Sequence, residues 1–192
     1  KDEFASIDKL GSEITANPKV IKYRLARAID YYLVKDQANA LNDLNQLLTD
    51  NPRYYLGYFA RAVIRWKQLD FDENNDIKDE NGKVESVTKI DIKNPSYDLI
   101  RDDLDRVIGL APDFAYAYYN RGLLMCALKD YQSAIADFSQ ALQIDSNMGE
   151  AYFNRGLANL FDGNTNKGIN DLSKSGELGV IEAYNVIKRL SR

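Results

Sequence analysis

Four arginines and four aspartates recur at matched places along this chain. Arg27, Arg61, Arg121 and Arg155 hold one slot, and Asp43, Asp103, Asp137 and Asp171 hold another. Both sets step by 34 residues, apart from one step of 60. A guanidinium presents two parallel N–H donors that match the two oxygens of a carboxylate, and such pairs fix geometry more than they add stability. The spacing predicts a ladder of structural Arg–Asp ion pairs within or between repeated units. It requires Arg121 and Asp137 to lie within about 4 Å.

The remaining chemistry is sparse. The 192 residues contain no His, which removes His-dependent nucleophilic catalysis, His general bases and His metal ligands. Cys126 is the single cysteine, so there is no internal disulfide and no thiolate zinc site. It falls among Leu123, Leu124 and Leu128 and reads as a buried, inert thiol. Asp72, Asn74 and Asp76 have the first spacings of a calcium loop. However, Ile77 stands where Gly is needed and Lys83 where a bidentate Glu belongs, so a solvated acidic loop is the better reading. The stretch from Gly163 to Gly168, with Lys167, lacks the full phosphate-loop pattern and reads as a turn between helices. The expectation is a protein without catalysis, cofactor or metal.

What positions the Arg and Asp slots is a repeat. Pro18 and Pro52 are 34 apart, as are Arg27-Ala28 and Arg61-Ala62. Tyr118, Asn120, Arg121 and Gly122 recur 34 residues on as Tyr152, Asn154, Arg155 and Gly156. Each unit reads as two helices. In residues 113–146 an apolar run over Ala115–Leu128 meets a polar turn at Lys129-Asp130. Tyr131, Ala134, Ile135, Phe138, Ala141 and Leu142 then trace one helical face. The residues before proline, Asn17, Asn51 and Ala111, are pushed out of helical geometry and end each second helix. Gly122 and Gly156, with Ala28 and Ala62 in the matching slots, predict a close helix–helix approach, with Ala134 and Ala141 filling the gap at Gly122.

These patterns resemble the tetratricopeptide-repeat family. The residues are Tyr118-x2-Arg121-Gly122 with Ala134-x3-Phe138, and Tyr152-x2-Arg155-Gly156 with Gly168-x3-Leu172. Weaker matches are Tyr58-x2-Arg61-Ala62 with Ile100-x3-Leu104 and Pro112, and Arg24-x2-Arg27-Ala28 with Ala40-x3-Leu44 and Pro52. Arg stands in place of the family's usual Leu, as in its bacterial Asn-Arg-Gly subclass. The resemblance implies an all-α, right-handed solenoid of four to five helical hairpins, which binds other proteins through a concave face lined by first helices.

In that frame residues 1–20 are the second helix of a partial repeat, 21–54, 55–114, 115–148 and 149–180 are repeats, and 181–192 is a capping helix. The sequence starts at Lys1 rather than Met, with no basic and apolar leader after it, and the expectation is a fragment of a longer chain. The second repeat carries an insertion at about 70–94 with eight acids and four bases. Its net of −4 equals that of the whole chain, so the repeats themselves are balanced. Within it Asn81-Gly82 is a hairpin-turn signal and Thr88, Ile90 and Ile92 alternate like a strand.

The same resemblance places Leu25, Ile29, Tyr32, Phe59, Val63, Trp66, Tyr119, Leu123, Phe153 and Leu157 toward the concave groove. So many apolar groups exceed what a monomer usually leaves bare. Where the family's chaperone-binding members have a cationic carboxylate clamp, this chain has Leu25, Ile29, Phe59, Val63 and Glu150. The expectation is a scaffold that takes an apolar peptide or helix of another protein. Two alternatives stand beside it. One is a structural segment whose groove is filled from within or by self-association, and the other is a carbohydrate or small-molecule module using aromatic faces. The acidic balance argues against nucleic acid, and no apolar run is long enough to cross a membrane.

Overall fold

A computed structural model of the chain describes residues 3–73 and 94–190. Those residues form ten α-helices and no strand. The chain divides into two compact units, 1–110 and 111–192. The first holds α1 (Glu3–Ala16), α2 (Ile21–Leu33), α3 (Gln37–Asp50), α4 (Tyr55–Glu73) and α5 (Ser96–Leu110). The second holds α6 (Ala115–Ala127), α7 (Tyr131–Ile144), α8 (Gly149–Phe161), α9 (Thr165–Glu177) and α10 (Glu182–Leu190). Within each unit every helix packs on the next in sequence, and α4 meets α5 across the insertion. The fold class is all-α, built of helical hairpins.

Local chemistry sets the helix ends. Asp36 and Asp130 cap α3 and α7, accepting from the backbone N–H of Asn39 and Ser133 at 3.1 Å. Each satisfies a donor that the first helical turn leaves open. The turns before α2, α4 and α6 close when the carbonyl of the pre-proline residue accepts from the N–H of Val20, Tyr54 and Phe114. Before α8 the proline slot is Ser146, and there the Asp145 carboxylate accepts from the Asn147 N–H at 3.0 Å. The tight turns into α3, α7 and α9 each hold a left-handed residue: Lys35 (φ 63°), Lys129 (φ 62°) and Gly163 (φ 85°). The last is a correction to the sequence reading. The turn covers only the residues around Gly163, while Lys167 and Gly168 lie inside α9, which starts at Thr165.

The core lies between paired helices. In the first unit Ala28, Ala40 and Leu44 are fully buried, with Ile64 packed beside them. In the second, Phe138 and Leu172 hold the equivalent positions, both fully buried. Removing such a side chain from water is worth about 1.5–3 kcal/mol.

The filling of the gap at Gly122 also differs from the sequence expectation. A Cβ at Gly122 would lie 2.7 Å from the Phe138 ring, which lies over the glycine in place of Ala134 or Ala141. A ring this close leaves no room for a side chain on the facing backbone. At Gly156 the smaller Leu172 lets the backbones approach directly. A Cβ there would lie 3.0 Å from Leu172 Cγ and 3.1 Å from the Gly168 carbonyl oxygen. The calcium-like spacing (beyond Asp72), the Asn81-Gly82 turn and the Thr88–Ile92 strand signal fall outside the described residues.

Candidate functional site

The recurring Arg and Asp side chains meet in every repeat. Arg27 donates from Nε and Nη2 to both oxygens of Asp43, each at 2.7 Å. Arg121 does the same to Asp137 at 2.9 and 2.7 Å, and Arg155 to Asp171 at 2.8 and 2.7 Å. Arg61 reaches Asp103 across the insertion at 3.0 and 2.6 Å. Each pair joins the first helix of a hairpin to its second. Asp43 and Asp103 are only 2% and 3% exposed, so their charges depend on these partners.

Further groups complete this constellation, and the sequence reading did not pick them out. Arg61 Nη1 reaches back to Asn45 Oδ1 on α3 at 2.7 Å, and Arg155 Nη1 reaches back to Ser139 Oγ on α7 at 3.0 Å. Both acceptors stand two residues after the ladder aspartate of the preceding hairpin, so the signal was present as a spacing. Gly11 holds that register in α1 and offers Arg27 no side chain. A Cβ there would stand 3.4 Å from Arg27 Nη1. Asp103 takes a second arginine, Arg65, at 2.6 Å, and Asp171 accepts from the Asn159 amide at 3.3 Å. A tyrosine ring faces each guanidinium: Tyr58, Tyr118 and Tyr152, with centroids at 5.4–5.8 Å. In the first repeat Arg24 occupies the tyrosine slot, and Tyr31, one turn onward, faces Arg27 at 5.8 Å.

Proton chemistry is not what this arrangement offers. Hydrogen bonding to Asp43 raises the Arg27 guanidinium above its ordinary value, and Asp171 does so for Arg155. Arg65 is lowered, because burial outweighs its contact with Asp103. No buried side-chain nitrogen or oxygen lacks a hydrogen-bond partner among the described residues. No group of three or more potential metal ligands occurs among them either. Cys126 is half-buried rather than fully buried, and desolvation pushes its thiol up to about 11.

The apolar first-helix residues divide by unit. In the first unit Ile29, Tyr32, Phe59 and Val63 come together with Ala60 and Ile64 around a cleft of about 220 Å³ between α2 and α4. Ile29 is exposed and the other three predicted residues are half-buried. Leu25 packs against the core beside this cleft, and Trp66 turns to meet the Tyr97 ring edge-on at 6.5 Å. In the second unit Tyr119 tilts onto Phe138 at 5.9 Å, and its hydroxyl accepts from the Asn154 amide at 3.1 Å. Burial, with Glu150 nearby, raises the Tyr119 hydroxyl above its usual range. Leu123, Phe153 and Leu157 are half-buried. The amides of Asn120 and Asn154 donate to carbonyls one turn back, Tyr116 and Glu150. Asn154 thus ties its own helix to Tyr119 on α6.

Comparison with known proteins agrees with this geometry. The family model described as tetratricopeptide repeat matches residues 115–148. No curated protein matches the chain. Among solved structures, the crystal structure of MamA has a TM-score of 0.73 at 18% identity, covering 95% of this chain and 92% of that one. MamA 41-end from Desulfovibrio magneticus RS-1 gives 0.72 at 15% identity over 93% and 86%. TTC0263, a thermophilic tetratricopeptide-repeat protein of Thermus thermophilus, gives 0.66 at 18% identity over 95% and 87%. Likeness at these identities is likeness of fold.

Proposed function

From the tetratricopeptide-repeat match over residues 115–148 and the likeness of fold to proteins of that class, we propose that the chain is a non-catalytic scaffold that holds an apolar segment of another protein against its first helices. Proteins of this repeat class generally act as interaction scaffolds. The observation that carries the finer reading is the cleft lined, among the described residues, by Ile29, Tyr32, Phe59, Ala60, Val63 and Ile64. At about 220 Å³ it is smaller than the roughly 300–1,000 Å³ typical of small-molecule sites, and it suits one inserted side chain. That supports a peptide over a sugar or other small ligand. Apolar anchors in desolvated pockets carry most of the energy of such interfaces.

The test is capture of partners from source lysate by the wild type and by a Val63→Glu variant with an unchanged circular-dichroism spectrum. The reading expects a protein held by the wild type and lost with the variant. Identical capture by both would overturn it. Self-association is the second reading, and the C-terminal end favours it: Ile181, just before α10, and Tyr184 and Leu190 on it are 71%, 52% and 47% exposed. Light scattering over a concentration series, with a Tyr184→Lys variant, tests that reading separately.

A further inference from the structure

One slot of the repeat is used differently in the two units. Arg65 stands four residues after the ladder arginine Arg61, and Asn159 stands four after Arg155. In the first unit Arg65 Nη1 donates to Asp103 at 2.6 Å and to the Leu99 carbonyl at 3.2 Å, so its guanidinium bridges α4 to α5. In the second unit the shorter Asn159 reaches only the aspartate. Its amide nitrogen donates to Asp171 at 3.3 Å and to the Arg155 carbonyl at 3.0 Å. Lys167 holds the slot of Leu99, four before the ladder aspartate. Between it and Asn159 a recess of about 340 Å³ opens among α7, α8 and α9.

This recess carries hydrogen-bonding atoms that the fold leaves unused. Asn159 is 3% exposed, and both partners of its nitrogen are acceptors, so the amide has one orientation. Its Oδ1 has no partner among the described residues. No partnerless side-chain oxygen is buried among them, so Oδ1 opens into the recess that Asn159 lines. Asp171 Oδ1 accepts from Arg155 Nη2 at 2.7 Å and keeps a second lone pair. The exposed Lys167 and Asn170 add donors to the same lining. A buried amide costs free energy wherever one of its polar atoms stays unmatched. Met125 fills the corresponding slot of α6 without that cost.

We propose that the recess binds a small polyhydroxylated ligand, a sugar or cyclic polyol. A hydroxyl both donates and accepts. Neighbouring hydroxyls would donate to Asn159 Oδ1 and Asp171 Oδ1 and accept from Lys167 and Asn170. The fixed acceptors repel a carboxylate, and the two cations Arg155 and Lys167 against the one carboxylate of Asp171 disfavour a cation. The volume falls within the roughly 300–1,000 Å³ of small-molecule sites, which the cleft between α2 and α4 does not reach. The recess lies on other helices than that cleft, so the inference is independent of the groove reading.

The probes are D-glucose, D-galactose and myo-inositol, with acetate and methylammonium as charged controls. Each is titrated to about 50 mM, enough to read a Kd in the millimolar range, while the amide resonances of isotope-labelled protein are followed. Asn159→Arg gives α8 the residue that α4 carries, and Asn159→Met the residue that α6 carries. Both variants thus have a precedent in the fold, with circular dichroism as the control. The expected result is a saturable shift at Ser139, Asn159, Lys167 and Asn170 with at least one polyol, and an affinity at least tenfold lower in both variants. No saturable shift with any polyol, or binding unchanged in both variants, would overturn the inference. Saturation by acetate or methylammonium alone would overturn it as well, because the site would then read charge.

Discussion

Gly156 and Gly168 face each other across the α8–α9 crossing so closely that neither has room for a side chain. A Cβ on Gly156 would lie 3.1 Å from the Gly168 carbonyl oxygen, and one on Gly168 would lie 3.0 Å from the Gly156 carbonyl oxygen. A backbone oxygen cannot swing aside as the tip of a side chain can. Gly156→Ala should therefore destabilise the protein by about 1–3 kcal/mol, the usual cost of overpacking. Gly109 is the control: it lies in α5, is exposed, and a Cβ added there would meet nothing within 4 Å. Gly109→Ala should stabilise by about 0.5–1 kcal/mol, from helix propensity alone. Denaturant midpoints of the two variants should move in opposite directions.

The Arg27–Asp43 pair makes a different kind of prediction. Asp43 is almost fully buried, while the Arg27 side chain is 21% exposed. Arg27→Ala leaves a carboxylate without its guanidinium and should cost about 2–4 kcal/mol, somewhat below the full penalty for a wholly buried pair. The double replacement Arg27→Met/Asp43→Leu should recover most of that loss, since no charge is left unpaired. Equal destabilisation by single and double variants in urea melts would show that the pair does more than neutralise itself.

Cys126 should be slow to react. Its thiol is pushed up to about 11, whereas an unfolded thiol ionises near 8.5. The native thiolate fraction is therefore small at pH 8 and grows only as pH rises toward 11, and the thiolate is the reacting species. Iodoacetamide labelling of the folded protein should lag far behind labelling in urea at pH 8, and the gap should narrow at pH 10–11. A native rate at pH 8 equal to the unfolded rate would refute this. The sign for stability is also fixed. Between the two values the unfolded state loses its thiol proton first, so this group's contribution to stability falls as pH rises.

Gly11 stands where Asn45 and Ser139 supply an acceptor to the arginine of the following hairpin. Gly11→Asn would offer Arg27 Nη1 an oxygen and remove a flexible residue from α1. The expected gain is about 0.5–1.5 kcal/mol, read as a higher melting temperature. The gain should vanish when Arg27 is replaced.

The hairpins were legible because two periodicities coincide. The 34-residue recurrence of Arg and Gly set the register, and the polar break at Lys129-Asp130 set the turn between α6 and α7. The partner of each small residue was not legible. Sequence says that Gly122 needs a neighbour, but not that the Phe138 ring folds over it, since that depends on rotamer and crossing angle. The same limit divides the groove residues. Ile29, Tyr32, Phe59 and Val63 gather around one cleft. Trp66 and Tyr119 share the helical face but spend their rings on Tyr97 and Phe138.

The reach of Arg61 to Asn45 and of Arg155 to Ser139 ties each arginine to two hairpins at once. In an array stabilised by nearest-neighbour terms, such links decide how widely a disturbance spreads. With them intact, melting one hairpin strips a hydrogen bond from the next, so neighbours within a unit unfold together. With the acceptors removed by Asn45→Ala or Ser139→Ala, each hairpin would fray on its own, and the transition would broaden before its midpoint moved far.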